Sequence, residues 1–225
     1  MKKLILFFLF FLFTTNYVYP HVAHYNKINS LKYGLYLNNK LIGNHSFTFT
    51  KNNNFLVVNS SGNFKVSKLG VELMNFNTKG EEIYEKGKLI KFISNTQQND
   101  KIKFVKVLLK NNKLLIDGSS YKGETEKNIS IGSWWNHEII KISKQISPIS
   151  GRIIKQRVAF LGKEKISINN VDFNALHFHF TSDDDKPLAK KKLNMHVWYD
   201  EKTLLWIKSS YDKFGLWEYR LIEQN

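Results

Sequence analysis

Three histidines stand where two neighbouring β-strands would bring their imidazole rings together. His177 and His179 are separated by one residue in a run that alternates as a strand does, so both project from one face. His196 takes the corresponding face of the next such run. If the two runs pair with their apolar faces matched, one allowed register sets His179 opposite His196 and His177 opposite Trp198.

Three imidazoles at that spacing have the ligand chemistry of a zinc site with one open position. Directly opposed Cβ atoms lie about 4.5–5.5 Å apart, and Asp200 would share the face as a further ligand or as a residue that orients a ring. One hypothesis is therefore a metal-dependent enzyme centred on His177, His179 and His196, with zinc as its cofactor. The competing interpretation is that the histidines are solvent-facing residues of a half-buried sheet, with no cofactor.

Four tryptophans are candidates for contact with an apolar ligand. Trp134 and Trp135 are adjacent, and indole rings of this kind can cap an apolar cavity or enter a lipid interface. A simpler account is a tryptophan plug that closes one end of a curved sheet. Trp198 and Trp206, from two later strands, complete the candidate set.

Sequence motifs for other kinds of catalysis are missing. The chain has no cysteine and no Gly-x-Ser-x-Gly motif, so nothing supports nucleophilic catalysis. His137 and Glu138 do not begin a metalloprotease motif, because position 141 is Lys141. No glycine-rich phosphate loop occurs. We therefore assign no catalytic residue.

The hydrophobic pattern predicts an all-β protein. From Leu31 onward, apolar and polar residues alternate with a period of two and are interrupted by Asn- and Gly-bearing turns. We predict one curved antiparallel meander sheet of roughly ten to thirteen strands, half-barrel or barrel-like, with a short helix or aromatic loop near 133–144 that Ser133 would cap. The predicted concave residues are Tyr33, Leu35, Phe47, Phe49, Phe178 and Trp206.

The first 23 residues have the order of a secretory signal. Lys2 and Lys3 precede an unbroken apolar run over 4–13, which is too short to span a bilayer, and polar residues follow. We expect residues 1–23 to be the signal, 24–225 to form a single β domain, and the protein to be periplasmic or secreted from a bacterium. No integral membrane domain is expected beyond the signal.

The formal charge of +15 has two interpretations. It favours an anionic envelope component or phospholipid surface as a partner. A biased composition is the stronger explanation, because the lysines are scattered and only 190–192 form a run. Nucleic acid is not expected, since no basic stripe with interleaved aromatic residues is present.

Several segments resemble an uncharacterised family of secreted bacterial proteins, domain-of-unknown-function family 6134. They are residues 33–43, 133–136, 150–152, 175–178, 197–200 and 218–221. That family is similar in outline to a second uncharacterised periplasmic family, number 3108, and both look like the curved half-barrels of lipoprotein carriers. The resemblance implies export and a β fold, and it implies no activity and no catalytic residues.

These observations favour a non-catalytic role. A curved, aromatic-rich, exported sheet suits a carrier or binding module for a lipid or other amphiphile in the cell envelope. A sealed core would use the same concave residues, so both interiors remain open at this point. The alternatives are the metal-dependent enzyme described above and a scaffold protein in an envelope complex.

Overall fold

The computed structural model describes Tyr25, residues 27–52 and residues 54–225. The predicted signal over 1–23 lies outside the described residues. The described part holds fifteen strands: β1 Ser30–Leu37, β2 Lys40–Asn52, β3 Phe55–Lys68, β4 Val71–Glu85, β5 Lys88–Gln98, β6 Lys101–Lys110, β7 Lys113–Gly118, β8 Tyr121–Glu126, β9 Ser130–Ile131, β10 Lys144–Ile146, β11 Ile153–Ile168, β12 Val171–Ser182, β13 Asn194–Asp200, β14 Trp206–Asp212 and β15 Leu216–Gln224.

All fifteen strands form one sheet in the order β8-β7-β6-β5-β4-β3-β2-β1-β15-β14-β13-β12-β11-β10-β9. Strands that follow one another in the chain pair with each other, except β8 and β9. In addition, the first strand, β1, pairs with the last strand, β15. The pairing is antiparallel apart from β9 with β10. The predicted all-β class and curved meander sheet are confirmed.

Short turns rich in asparagine join many of the strands. Asn38 and Asn39 have φ of 48° and 66°, and the pairs Asn111–Asn112 and Asn169–Asn170 are similar. Asparagine tolerates this left-handed region better than most residues, and two such residues make the tight turn that suits twisted hairpins. We call the end of the sheet that carries turns 38–39, 69–70 and 213–215 the upper end, and the opposite end the lower end.

A loop closes the gap between β8 and the β9–β10 edge. The backbone N–H of Ser120 donates to the carbonyl of Ser150 at 2.9 Å, and the Ser94 hydroxyl donates to the carbonyl of Pro148. Gly118 lies so near this loop that a Cβ there would be 2.7 Å from the Ser150 carbonyl oxygen. The curved sheet is therefore barrel-like, with a loop rather than a strand pair at its seam.

Aromatic side chains fill the lower half of the concave side. Trp135 is fully buried, and its ring packs edge-on against Tyr25, Phe49 and Tyr84 at centroid distances of 5.4, 5.4 and 5.6 Å. Such edge-to-face pairs add to the stabilisation that comes from burying the rings. The lower half is thus a sealed core, in agreement with the plug interpretation of Trp135.

Two local predictions were wrong. The sheet has fifteen strands rather than roughly ten to thirteen, in part because β9 and β10 have only two and three residues and leave no alternating pattern. β11 is one long strand whose register shifts at a bulge around Gly162. The helical segment is a 3-10 helix, His137–Lys141, which Asn136 rather than Ser133 caps.

A second 3-10 helix, Leu188–Lys190, lies between β12 and β13. Within the described residues, no helix is long and apolar enough to cross a membrane.

Candidate functional site

The predicted histidine register is present on the convex side of the sheet. In the pairing of β12 with β13, His179 is opposite His196 and His177 is opposite Trp198. The rings of His179 and His196 stack at 4.3 Å with an interplanar angle of 8°, and His177 stacks on Trp198 at 4.2 Å. The three imidazoles are therefore brought together by the matched apolar faces of two strands, as the alternation predicted.

Hydrogen bonds occupy four of the six ring nitrogens of this cluster. The Glu164 carboxylate accepts from Nδ1 of His177 at 2.9 Å, so neutral His177 carries its proton on Nδ1. Nε2 of His177 then accepts from Nδ1 of His196 at 2.8 Å. Nε2 of His179 donates a hydrogen bond to the Asn194 side-chain oxygen at 2.7 Å. The rings thus bind one another and their neighbours.

This arrangement does not favour a shared metal ion. The stacked rings of His179 and His196 have parallel planes, so their in-plane lone pairs cannot converge at the 2.0–2.1 Å that zinc requires. No group of three His, Cys, Asp or Glu side chains in the described part of the chain is placed to hold a metal. Asp200 instead accepts from the backbone N–H groups of Lys202 and Thr203. The metal site stays a prediction.

Burial lowers the pKa of two histidines of this cluster, His177 and His196. It lowers the pKa of His196 to about 4, with the neighbouring His179 and His177 lowering it further. Burial also lowers the pKa of His177, against an opposing effect of the Glu164 carboxylate. His177 and His196 are therefore mostly uncharged at neutral pH.

The four predicted tryptophans fall into three places. Trp198 lies on the convex side, where its indole N–H donates to Glu164 and Lys208 sits 5.1 Å from its ring centroid. Trp135 belongs to the sealed lower core. Trp134 and Trp206 line a cavity on the concave side. Only two of the four therefore share a site.

The cavity occupies the upper half of the curved sheet and has a volume of about 420 Å³. Small residues on β3 and β4 leave this space, because Ser60, Gly62, Thr78 and Gly80 stand where the lower rows carry large side chains. Three of the predicted concave residues line it, namely Leu35, Phe47 and Trp206. Of the other three, Tyr33 and Phe49 are buried in the core, and Phe178 is half-buried against it.

Two enclosed nitrogen atoms belong to residues that line this cavity. Nε2 of His45 and Nε1 of Trp206 are buried and have no hydrogen-bond partner among the described residues. Burial of an unpaired polar group costs about 1–3 kcal/mol. A donor and a ring nitrogen held in this way are available to the polar group of a bound molecule.

Formal charge stands at both ends of the cavity. At the floor, Glu82 is buried and accepts from the indole N–H of Trp135 at 2.9 Å and from the hydroxyl of Tyr84 at 2.5 Å. Burial raises the pKa of Glu82 to about 7, although both hydrogen bonds oppose the shift. At the upper end, the exposed Lys192 comes from the loop before β13. Between these ends, the lining combines apolar side chains such as Phe92 with polar ones such as Thr78.

The profile of a protein family described as "Domain of unknown function (DUF6134)" matches residues 33–222. The chain belongs to this family. The match spans the whole histidine cluster and every residue that lines the cavity, so both features lie within the family domain. The predicted resemblance to family 6134 is confirmed.

The fold of this DUF6134 domain is similar to that of a solved structure. The match is to the beta-barrel-like protein of domain of unknown function DUF1849 from Brucella abortus, with a TM-score of 0.61 and 10% sequence identity. The match covers 87% of this chain and 96% of the other. No protein with a curated description matches the sequence.

The sequence pattern indicated some cavity residues and missed others. Trp206 and the apolar concave residues followed from alternation, and Trp134 was indicated by its place in the adjacent tryptophan pair. His45 was missed because it is a single polar residue, and only its strand face could have signalled it: it shares the inner face of β2 with Phe47 and Phe49. The small residues Ser60, Gly62, Thr78 and Gly80 resembled ordinary turn or surface residues.

We expect His45→Phe to make the ligand-free DUF6134 protein more stable, most strongly in acid. Burial lowers the pKa of His45 to about 4, below the unfolded value of about 6.5. The stability that depends on neutral His45 is therefore complete above pH 6.5 and is lost as the pH falls towards 4. Phenylalanine keeps the ring that packs against Phe47 and cannot be protonated.

Urea unfolding at pH 7.5 and pH 5 measures this effect. The variant should gain about 1 kcal/mol at pH 7.5 by losing an unpaired nitrogen, and on the order of 2 kcal/mol at pH 5 because the half-buried ring moderates the full shift. His177 and His196 contribute equally to the pH dependence of unfolding in the variant and in the parent protein, so their effect cancels in the difference. An equal difference at both pH values would contradict the assignment.

Proposed function

We propose that this DUF6134 protein is a non-catalytic binding module of the bacterial cell envelope that holds one amphiphile in the upper half of its curved sheet. The observation that carries the proposal is the apolar cavity of about 420 Å³ with two unpaired nitrogens in its wall. Ligand sites in proteins have volumes of about 300–1,000 Å³ and combine an apolar lining with a few placed polar groups.

The floor and the mouth of the cavity differ in a way that suits an amphiphile. The aromatic core around Trp135 closes the lower end, so an apolar chain would lie along Phe47, Phe92 and Trp206. Lys192 stands at the upper end, and its ammonium group has no ion-pair partner among the described residues. An anionic head group would therefore lie near Lys192. A long-chain fatty acid is the simplest ligand with this chemistry.

The proposed compartment depends on the N-terminal pattern. Lys2, Lys3 and the apolar run over 4–13 have the order of a secretory signal, and an envelope location supplies lipid ligands. Fractionation of cells that express the full chain, with intact mass of the mature protein, tests this part separately. Full-length protein in the cytosol would contradict it.

Binding is tested by native mass spectrometry of the purified chain with palmitic acid. The proposal expects one fatty acid per chain and displacement of a fluorescent fatty acid by unlabelled palmitate. Absence of a bound adduct, together with no fluorescent uptake at micromolar protein, would overturn the proposal. Binding of many molecules without saturation would indicate a surface effect and would also contradict it.

Lys192→Ala tests the orientation of the ligand. We expect the affinity for palmitic acid to fall several-fold, because the carboxylate loses a nearby cation at the mouth of the cavity. The affinity for the alcohol of the same chain length should stay the same. Lys190→Ala, two residues earlier in the same loop, is the matched control and should change neither. Equal losses for acid and alcohol would show that Lys192 does not contact the head group.

A further inference from the structure

Two hairpin turns at the upper end of the sheet carry large apolar side chains that project into water. Leu69, between β3 and β4, is 95% exposed, and Phe214, between β14 and β15, is 96% exposed. Their φ angles are 51° and 58°, in the left-handed region that bulky residues rarely adopt. The two turns share a pattern, because Lys68 and Lys213 precede these residues and a glycine follows each.

Turn formation does not explain these two residues. At most other hairpin turns of the described chain, asparagine holds the left-handed position, as at Asn38, Asn111 and Asn169, and at the β4–β5 turn the polar Lys86 holds it. Leu204 also has a positive φ, of 54°, but it lies at the lower end and is half-buried. Leu69 and Phe214 therefore combine an unfavourable backbone conformation with an apolar side chain that has almost no protein contact.

We call Leu69 and Phe214 the two tips. Along their strands, the two tips lie equally far beyond the cavity. One row of paired residues crosses β15, β1, β2 and β3: Tyr219, Leu35, Gly43 and Phe64. Phe214 lies five residues beyond this row on its hairpin, and Leu69 lies five residues beyond it on the other. Three members of the row line the cavity, so the tips project from the end at which Lys192 also lies.

We propose that Leu69 and Phe214 form a docking surface that seats the upper end of the molecule on an anionic phospholipid bilayer. Apolar side chains enter the acyl boundary, while adjacent lysines remain among the head groups. Lys68 and Lys213 are exposed, and neither has an ion-pair partner in the described part of the chain. The formal charge of +15 complements an anionic surface.

The positive charge of the chain and the two apolar tips together favour a lipid bilayer as the partner of this docking surface. A protein interface would bury a continuous apolar patch, whereas these tips lie on separate hairpins with the turn Asn38–Asn39 between them. Docking in this orientation would set the mouth of the cavity against the membrane. The inference goes beyond the proposed function and holds whether or not the cavity binds a lipid.

Single cysteines test the insertion directly, because the chain has none of its own. Leu69→Cys and Phe214→Cys, each labelled with an environment-sensitive fluorophore, should shift to the blue and be quenched by brominated lipid on vesicles of phosphatidylcholine and phosphatidylglycerol. Val171→Cys, an exposed position at the lower end, is the matched control and should report water throughout. Quenching at all three positions, or at Val171→Cys alone, would overturn the proposal.

Vesicle sedimentation of unlabelled protein separates docking from cavity binding. The double variant Leu69→Asn, Phe214→Asn should fold, because asparagine tolerates positive φ, and should lose about tenfold in partition to the anionic vesicles. Its uptake of palmitic acid from solution should be unchanged. Undiminished sedimentation would refute docking by these tips. Loss of self-association instead of vesicle binding would also refute it and would identify the surface as a contact between protein chains.

Discussion

The Ser60→Phe protein is expected to fold and to lose palmitic acid binding by more than about tenfold, or 1.4 kcal/mol. Ser60 lies on the concave face of β3, opposite Gly80 on β4, and its side chain borders the cavity. A Cβ on Gly80 would meet the Ser60 hydroxyl at 2.8 Å, so the wall is already tight there. A phenyl ring must therefore extend into the space that the ligand would occupy.

A graded series makes this test quantitative. Ser60→Ala should bind as the parent does, Ser60→Leu should bind more weakly, and Ser60→Phe least, because the free volume falls in that order. Ser61→Phe is the matched control, since Ser61 is the next residue and is exposed on the opposite face. Overpacking costs about 1–3 kcal/mol, so unfolding curves must accompany the binding data. Full affinity of a folded Ser60→Phe would place the ligand elsewhere.

The largest effect on stability is expected for Trp135→Ala, with a loss of about 3–5 kcal/mol in the free energy of unfolding. Trp135 is fully buried and contacts three aromatic rings of the lower core. The change also removes the indole N–H that donates to Glu82. Trp217→Ala, a half-buried tryptophan at the upper end, should cost less. Denaturant unfolding with far-ultraviolet circular dichroism measures both.

Trp135→Phe separates the hydrogen bond from the packing. The folded pKa of Glu82 is raised to about 7, so its stabilising contribution is complete below the unfolded value and is lost as the pH rises through 7. Without the indole donor that pKa rises further, and the loss extends to higher pH. The cost of Trp135→Phe should therefore be larger at pH 8 than at pH 5. A cost independent of pH would show that the indole does not act on Glu82.

Alternation predicted the parts of the fold that depend on burying one face of each strand. The pairing of His179 with His196 was one of the registers allowed once Phe178, Phe180 and Val197 had to face the core together, and it is the one present. The Asn–Asn turns were visible for a similar reason, since few residues adopt positive φ without cost. These features are set by neighbours in sequence, or by one pair of strands.

The cavity could not be predicted, because it depends on strands that are distant in sequence. Gly62 and Gly80 open the wall only when β3 and β4 curl toward Trp206 and Tyr219 on the far side of the sheet. The sequence equally allowed a sealed core or an open interior. The structure contains both, with a filled lower half around Trp135 and a cavity above it.

The orientation of the histidine rings on the convex side could not be predicted either. Sequence spacing brought His177, His179 and His196 together correctly, but it could not show how the ring planes would turn. Stacking and the bond from His177 to Glu164 fix those planes, and the resulting arrangement suits a buried polar network better than a shared ion.

The indole N–H signals of the five tryptophans give the most direct test of the cavity as a ligand site. In a proton–nitrogen correlation spectrum, assigned with Trp206→Phe, saturating palmitic acid should shift the Trp206 signal, whose N–H is unpaired beside the cavity. The Trp135 and Trp198 signals should stay in place, because their N–H groups donate to Glu82 and Glu164. An unmoved Trp206 signal, or a shift confined to Trp198, would contradict the account.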